Sequence, residues 1–488
     1  MIRLPGYWKI SLLLSLVIAL GPTMAIAQSI EIGTGWDTPE IVYEEPVPDE
    51  WGHNALTIAG DRYGNLHLMW RMATRDPAAG VASVYSRWDG DQWTVPTDVL
   101  ISPNGDRFDG ATFAVDASGR LHAVWSGAVD FGLYYSWAWG DQAEDAKAWS
   151  TPVAIGPRSF SEMILTEGTE TLHVIFTDSG RNVLLISSLD GGNTWSEPLT
   201  LSEFADDRSV TDPILAIDQE GLLHAVWSEG PLEGYPPLAV HYTQSRDGGI
   251  TWQPPQQIFD AEIGEPNVAR AGDGTLHIFG NGRVGVGGRY HRWSADGGET
   301  WSNVEEIVAP GTYDGLTGPI SLAVDASGTL HVLYITGGGQ DTGLMYTTWI
   351  GASLAQPQRL VAYGTNWFGE GAIIAVSEGN QLHLAVPSND YNWIWHTRME
   401  LNGVPAIPPL PRPQQEVKPS PIPVEQVLAQ EETSTSTPSL PSRLPGQYAM
   451  SSSSNAVNEA VSLAISTAVV MFVLGIVVVY HAGRRRGR

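Results

Sequence analysis

Residues Asp218 to Trp252 read DQEGLLHAVWSEGPLEGYPPLAVHYTQSRDGGITW, and this stretch holds both halves of a unit that recurs along the chain. The first half is a turn followed by a strand, D-x-x-G-x-L-H-x-x-W, and the second half ends in S-x-D-G-G-x-T-W. Both halves place apolar runs rich in branched residues beside a glycine turn, which is typical of strands joined as hairpins. The unit therefore predicts an all-β fold.

The Leu-His pair of the first half occurs seven times, at intervals of 51 to 55 residues. A fixed period of this length is typical of a four-stranded propeller blade, since ankyrin and tetratricopeptide repeats are shorter. The seven copies predict a seven-bladed β-propeller. The pairs are Leu66-His67, Leu121-His122, Leu172-His173, Leu223-His224, Leu276-His277, Leu330-His331 and Leu382-His383.

The second half is complete at Ser188 to Trp195, Ser245 to Trp252 and Ser294 to Trp301, with degenerate copies at Ser86 to Trp93 and Ser136 to Trp149. These segments resemble the Asp-box, or bacterial-neuraminidase (BNR), repeats of sialidase-like propellers. In such a turn the Asp carboxylate accepts backbone N–H groups, and the glycines supply positive φ. The resemblance therefore implies the fold rather than a catalytic function.

The resemblance has two departures. The enzymes of this family are six-bladed, whereas seven Leu-His units indicate seven blades. The family also carries an early Phe-Arg-Ile-Pro motif that brings the first of three carboxylate-binding arginines. Here the corresponding stretch, Glu50 to Gly64, reads EWGHNALTIAGDRYG.

The first repeat-like segment of the chain predicts how the ring closes. Residues Gly33 to Val42, GTGWDTPEIV, resemble the end of a unit, whereas the last unit ends in MELNGVPAIPP and lacks the Thr-Trp pair. We therefore expect the N-terminal segment to form the outer strand of the last blade, the one that contains His383.

The repeated histidines favour a structural role, because one position per blade spreads them around a ring and prevents them from binding one metal ion. In five of the seven units an aromatic residue follows three positions later, as Trp227 follows His224. We expect these histidines to have their hydrogen bonds satisfied and to be packed between blades. No metal- or cofactor-binding spacing stands out elsewhere, so no cofactor is predicted.

Composition excludes several classes of protein. The chain has no cysteine, which excludes disulfides, a thiolate nucleophile and a cysteine-ligated metal. Its formal net charge of −28 argues against nucleic acid or an anionic membrane surface as partner. We interpret the acidity as a solvated surface.

The sequence divides into five segments. Residues 1–27 resemble a secretory signal peptide, 28–402 hold the propeller, 403–459 form a Pro/Ser/Thr-rich disordered stalk, 460–481 a transmembrane helix and 482–488 a basic tail. By the positive-inside rule, the C-terminal arginines lie in the cytoplasm and the propeller lies outside. The sequence thus predicts a monomeric, single-pass type I membrane protein with its propeller at the cell surface.

Blade geometry indicates where a functional site should lie. The first and third turns of each blade share one face and are repeated scaffold turns, so the opposite face receives the irregular segments. The residues with polar or aromatic chemistry in those segments are Trp51, His53, Asn54, Arg107, Asp109, Arg158, Glu162, Asp207, Arg208, Asp212, Glu265, Asn267, Tyr313, Asp314, Trp367 and Glu370, with Arg71, Arg75, Asp130, Phe131, Glu233, Tyr235, Arg283, Arg289, Gln340 and Asp341 in the second turns.

A retaining sialidase needs arginines that bind the substrate carboxylate, an acid for the leaving oxygen and a tyrosine activated by a glutamate. By position in the repeat, the candidates for the arginine clamp are Arg107, Arg208 and Arg283. Asp109 would be the acid. Tyr313 and Glu370 would be the nucleophile and its base.

Three functions are open from the sequence, and enzymatic activity is undecided among them. The first is a membrane-anchored module that recognises a glycan or a surface protein, with or without glycosidase activity. The second is an active retaining exo-sialidase. The third is a non-enzymatic scaffold of the cell envelope. The fold hosts hydrolases and binding modules alike, so it does not decide among the three functions.

Overall fold

The structure is a computed structural model. It describes residues 32–44, 54–73, 81–100, 108–127, 132–157, 159–178, 181–205, 207–232, 236–260, 262–282, 287–309, 318, 320–336, 343–362, 371–388 and 393–411. The predicted signal peptide, transmembrane helix and basic tail lie outside these residues, as does the stalk beyond residue 411.

The described strands form seven four-stranded antiparallel sheets, each the blade of a propeller. The predicted all-β, seven-bladed architecture is thus confirmed. From the inner strand outward, blades 1 to 3 are β2 (Asn54–Gly60), β3 (Leu66–Ala73), β4 (Val81–Trp88) and β5 (Thr97–Leu100); β6 (Phe108–Val115), β7 (Arg120–Gly127), β8 (Leu133–Trp139) and β9 (Val153–Gly156); and β10 (Ser159–Glu167), β11 (Thr171–Asp178), β12 (Asn182–Ser188) and β13 (Leu199–Glu203).

Blades 4 to 6 repeat the same order, and blade 7 takes its fourth strand from the beginning of the chain. These blades are β14 (Arg208–Ile217), β15 (Leu223–Pro231), β16 (Ala239–Ser245) and β17 (Gln256–Phe259); β18 (Ile263–Arg270), β19 (Leu276–Gly282), β20 (Arg289–Ser294) and β21 (Glu305–Val308); β22 (Ser321–Val324), β23 (Leu330–Thr336), β24 (Gly343–Thr348) and β25 (Gln358–Ala362); and β26 (Ile373–Ser377), β27 (Gln381–Pro387), β28 (Trp393–Glu400) and β1 (Glu40–Glu44).

The ring closes as the sequence predicts. Strand β1 pairs antiparallel with β28, with Glu40 opposite His396 and Glu44 opposite Trp393. Val42 is buried in the core between blades 7 and 1. Blade 7 is therefore built from both ends of the propeller sequence.

The core lies between neighbouring sheets, because each blade buries an apolar face against the next. Between blades 1 and 2, for example, Met69 and Tyr85 pack against Phe113 and Trp125, and all four side chains are buried. The Asp boxes act as turns: the Asp190 carboxylate accepts hydrogen bonds from the Thr194 N–H (2.8 Å) and hydroxyl (2.7 Å).

The repeated histidines are buried and hydrogen-bonded, as expected for a structural role. In blade 1, His67 contacts the Tyr85 hydroxyl through Nδ1 at 2.7 Å and the Asp61 carboxylate through Nε2 at 3.3 Å. Blades 2, 4 and 6 repeat this Asp–His–Tyr arrangement. Its members there are Asp116, His122 and Tyr135; Asp218, His224 and Tyr242; and Asp325, His331 and Tyr346.

Blades 5 and 7 contain a different chain of contacts, in which a second histidine replaces the tyrosine. His277 Nδ1 lies 3.0 Å from His291 Nε2, and His291 Nδ1 lies 3.1 Å from the Glu305 carboxylate. In blade 7, His383, His396 and Glu40 repeat these contacts, both at 3.0 Å. We refer to these two sets as the His–His–Glu chains.

The start of the predicted stalk differs from expectation over its first nine residues. Residues 403–411 lie along the first turns of blades 7 and 1, where Ile407 N–H donates to Glu378 O and Leu410 N–H donates to Arg62 O, both at 2.8 Å. The prolines leave few N–H groups in this segment, and two of those present bond to the propeller. Within the described residues, no helix has the length and apolar character needed to cross a membrane.

Candidate functional site

A central cavity lies where the inner strands of the seven blades begin. It has a volume of about 590 Å3 and is lined by residues from every blade. This is the face on which the sequence placed the irregular connections. Its polar lining consists, among the described residues, of Arg71, Thr112, Ser161, Glu162, Asp212, Glu265, Asn267 and Ser321.

A bulge at the start of the inner strands aims residues into this cavity. In blades 1 to 5 the register between the inner strand and the second strand shifts at this point, because the inner strand has one more residue there than its partner. Bulges of this kind redirect side chains and are enriched beside functional sites. The equivalent cavity-lining residues are Ala55, Ser161, Asp212, Glu265 and Gly371 in blades 1, 3, 4, 5 and 7, and blade 2 places Gly110 there.

Two of these bulge residues are carboxylic acids in the left-handed backbone region. Asp212 has φ 54° and Glu265 has φ 47°, whereas the equivalent positions with positive φ in blades 2 and 7 are Gly110 and Gly371. A non-glycine residue in this region is strained by roughly 1–2 kcal/mol. The fold accepts glycine or alanine at this position, so it does not itself require an acidic side chain.

Asp212 is held in place by hydroxyl groups. Its Oδ2 accepts a hydrogen bond from Thr211 Oγ1 at 2.7 Å, and its carboxyl group also contacts Ser228. Burial raises the pKa of Asp212, and these two hydroxyl contacts only partly oppose that effect. Asp212 is therefore more readily protonated than an exposed aspartate.

Glu265 is connected to Asp212 through the same serine. The Glu265 N–H donates to Ser228 Oγ at 3.0 Å, and the Glu265 carboxylate accepts a hydrogen bond from Asn281 Nδ2 at 2.8 Å. Asn281 is buried and also donates to Gly318 O of the next blade at 2.8 Å. These contacts fix the orientation of the Glu265 side chain.

Glu162, from blade 3, is the third carboxylate of the lining. Its Oε2 accepts hydrogen bonds from Ser126 Oγ and Ser159 Oγ, both at 2.8 Å. Arg71 supplies positive charge from blade 1. Among the described lining residues, the acidic side chains thus outnumber the basic one.

The residues chosen as a sialidase site are only partly described. Arg208 begins β14, where its guanidinium lies 3.1 Å from Glu229 and 3.7 Å from Asp207, and it is not part of the cavity lining. Asp109 lies in β6. The other four, Arg107, Arg283, Tyr313 and Glu370, lie outside the described residues, so the arginine clamp and the nucleophile stay predictions.

The wider set of connection residues contains the polar groups that the cavity does bring together, namely Arg71, Glu162, Asp212, Glu265 and Asn267. Sequence reasoning did not single out the two strained carboxylates among them. A signal was present, because Asp212-Pro213 and Glu265-Pro266 are acidic-proline pairs at the same position of adjacent repeats.

Metal binding has no support in the described ranges, where no group of three or more His, Asp or Glu side chains could hold an ion. The polar lining instead offers hydrogen-bond donors and acceptors to a polar organic ligand.

Comparison with known families supports the interpretation of the Asp boxes. Residues 221–349, from blade 4 into blade 6, match the family described as BNR repeat-like domain. The match is confined to these residues, which include two of the three complete Asp boxes. The resemblance to sialidase-like propellers is thereby confirmed. No curated protein matches the chain with significance.

Two solved structures with TM-scores above 0.5 share the fold of this propeller. The BP39L lectin from Burkholderia pseudomallei is 14% identical with a TM-score of 0.52, and the match covers 73% of this chain and 98% of the lectin. The polysaccharide lyase Uly1 is 9% identical with a TM-score of 0.51 and coverages of 74% and 92%. Hadza microbial sialidase Hz136 is 16% identical, with a TM-score of 0.44 and coverages of 75% and 69%. At these identities the likeness concerns the fold alone.

Proposed function

We propose that this protein is a surface-tethered recognition module that binds a glycan in the central cavity. The observation that supports the proposal is the cavity itself, which combines a volume of about 590 Å3 with polar groups from several blades. Small-molecule sites are typically concave, of roughly 300–1,000 Å3, and carry a few placed polar groups on a largely apolar wall.

The chemistry of the lining fits a sugar. Glu162, Glu265 and Asn267 offer carboxylate and amide groups to hydroxyls, and the partly exposed Ile373 offers apolar surface to the face of a pyranose ring. Two proteins that share the fold are named as a lectin and a polysaccharide lyase. We therefore favour a carbohydrate over a protein as the ligand.

The tether is the part of the proposal that rests on sequence. Residues Val461 to Tyr480 are twenty residues without a charge, and Arg484, Arg485, Arg486 and Arg488 follow. Such a segment is long enough to cross a bilayer, with the arginines in the cytoplasm. In this arrangement a propeller outside the cell would present its cavity to surface or environmental glycans.

The first prediction is that filling the cavity abolishes glycan binding. The purified full-length protein would be tested on an array of neutral, amino and acidic glycans, and each positive glycan would be measured by calorimetry. Ile373→Trp places a large ring in the cavity lining and should weaken binding by at least about tenfold, or about 1.4 kcal/mol.

Ile250→Trp is the matched control, because Ile250 is 75% exposed in the Asp box of blade 4 and does not line the cavity. It should leave the affinity unchanged. If the Ile373→Trp variant still binds the glycan with wild-type affinity, the binding site lies outside the central cavity. Absence of any glycan binding by the wild-type protein would refute the proposed function.

A further inference from the structure

We propose that Asp212 and Glu265 are a catalytic acid and base that hydrolyse a glycosidic bond of an uncharged glycan bound in the cavity. This inference rests on the proposed function, since it assumes that the cavity binds a glycan. It goes further by assigning a reaction, a substrate class and two residues.

The first argument is that the fold does not need these two side chains. The equivalent position is Ala55 in blade 1, Gly110 in blade 2, Ser161 in blade 3 and Gly371 in blade 7; the alanine and both glycines have positive φ, and Ser161 does not. Aspartate and glutamate keep the same backbone at a cost in stability. Strained residues of this kind concentrate at sites where the side chain has a function.

The second argument is that the two carboxyl groups have different surroundings. Asp212 is partly buried and is hydrogen-bonded by Thr211 and Ser228, and its pKa is raised. Glu265 instead accepts a hydrogen bond from the Asn281 amide. Paired acids whose environments separate their protonation states are the requirement for acid–base catalysis of glycoside hydrolysis.

The third argument is that the two residues are mechanically linked. Ser228 Oγ accepts the Glu265 N–H at 3.0 Å and contacts the Asp212 carboxyl group, although the two residues come from neighbouring blades. Asp212 and Glu265 lie on inner strands, and a side chain on a strand is positioned more firmly than one on a loop. The pair is thus fixed within one wall of the cavity.

The charge of the cavity indicates the substrate class. Among the described lining residues, Glu162 and Glu265 are two carboxylates beside a single cation, Arg71, even when Asp212 carries the proton that it donates. An anionic sugar such as a uronate or a sialate would meet like charges, which disfavour binding. A neutral glycan avoids this repulsion.

The reaction balances without a cofactor. Asp212 gives its proton to the glycosidic oxygen, and the bond from that oxygen to the anomeric carbon breaks with its electron pair moving to oxygen. A water molecule attacks the anomeric carbon, and Glu265 takes the proton that this water releases. One water is consumed, two sugar hydroxyls form, and exchange with solvent returns both residues to their starting states.

The test uses the full-length protein and neutral gluco-, xylo-, manno-, galacto- and arabino-oligosaccharides, with dinitrophenyl glycosides of the same sugars. Wild type should release reducing ends from a glycan that it binds. Asp212→Asn should lower that rate by at least about 100-fold, yet lower the rate on the dinitrophenyl glycoside by less than about tenfold, because this leaving group needs no proton. Glu265→Gly should be inactive and should regain turnover with azide, which replaces the activated water.

Glu378→Gly is the matched control, because Glu378 has φ 49° but lies outside the central cavity. It should keep full activity. Asp212→Gly and Glu265→Gly should unfold at an unchanged or higher temperature, since glycine relieves the backbone strain. Binding without cleavage by wild type, or full activity in Asp212→Asn, would overturn this inference and leave the proposed function intact. A wild type that binds no glycan would instead refute the proposed function.

Discussion

The partners of the repeated histidine differ from blade to blade, and the residue types that surround it vary together. Where the first turn supplies an aspartate, as Asp218 does in blade 4, the third strand supplies a tyrosine, Tyr242, and His224 bridges the two. In blade 3 the third strand carries Leu185 at that position, and His173 bonds instead to Ser187 Oγ at 2.8 Å. His173 Nε2 has no hydrogen-bond partner among the described residues, and burial lowers the pKa of His173 to about 4.

This contrast predicts unequal costs for one substitution at two equivalent positions. His224→Leu leaves the buried Tyr242 hydroxyl unpaired and removes a partner of Asp218, so it should lower the free energy of unfolding by about 1–3 kcal/mol. His173→Leu removes a histidine that makes a hydrogen bond through only one of its two ring nitrogens, so it should lower the free energy of unfolding by less than about 1 kcal/mol. Urea unfolding of both variants measures the difference. Equal losses would mean that the Asp–His–Tyr contacts contribute nothing beyond packing.

At the scale of the element, strand β1 is the part of the molecule that closes the ring. Its residues alternate in burial, with Val42 buried between blades 7 and 1 while Ile41 is 46% exposed. This alternation is expected of a strand with one face on the core. Only one face of β1 thus packs on the core. The adjacent residues Ile41 and Val42 lie on opposite faces, so substitutions at the two positions can be compared directly.

We therefore expect Val42→Asp to weaken the closure and Ile41→Asp to be tolerated. An unpaired charge at Val42 would be buried, at a cost of several kcal/mol, whereas Ile41 lies at the surface, where changes are usually within about 0.5 kcal/mol. Thermal unfolding and gel filtration of the two variants distinguish the outcomes. A similar small loss for both would show that β1 is dispensable for the ring.

At the scale of the whole molecule, acid should destabilise the fold in part through the four histidines of the two His–His–Glu chains. Burial holds the pKa of His277 and of His291 at about 3 and lowers the pKa of His383 and His396. An unfolded histidine has a pKa near 6.5, so below that pH the unfolded state binds more protons than the folded one. The stabilisation is complete above pH 6.5 or so and is lost as the pH falls toward the folded values, at roughly 1.4 kcal/mol per pH unit for each histidine.

Tyrosine at the second histidine should reduce this acid sensitivity, because Tyr85, Tyr135, Tyr242 and Tyr346 occupy the equivalent position in four other blades. The double variant His291→Tyr and His396→Tyr should lose less stability than wild type between pH 7 and pH 5. Urea unfolding at the two values provides the comparison. The same loss in both proteins would place the acid sensitivity in other groups.

The sequence predicted the architecture because the features that define it are local and repeated. The Leu-His pairs count the blades, and the GTGWDTPEIV segment reveals the closure by its likeness to the end of a unit. The site is less accessible to such reasoning. The face was predicted, but Arg208 was preferred to Asp212 and Glu265 because the chosen roles followed the sialidase pattern. Periodicity alone does not reveal the backbone bulge that turns those two carboxyl groups into the cavity.

The closure by β1 also sets the order in which the molecule can be assembled. Glu40 and His396, which meet in blade 7, are 356 positions apart. During synthesis β1 emerges early and has no partner until β28 has been made, so the intermediate is an open arc with an unpaired strand edge at each end. Such long-range pairing is slow, and exposed edges invite pairing between molecules. At high concentration, β1 of one copy could therefore complete blade 7 of another, so that crowded refolding would yield exchanged dimers and longer chains of propellers.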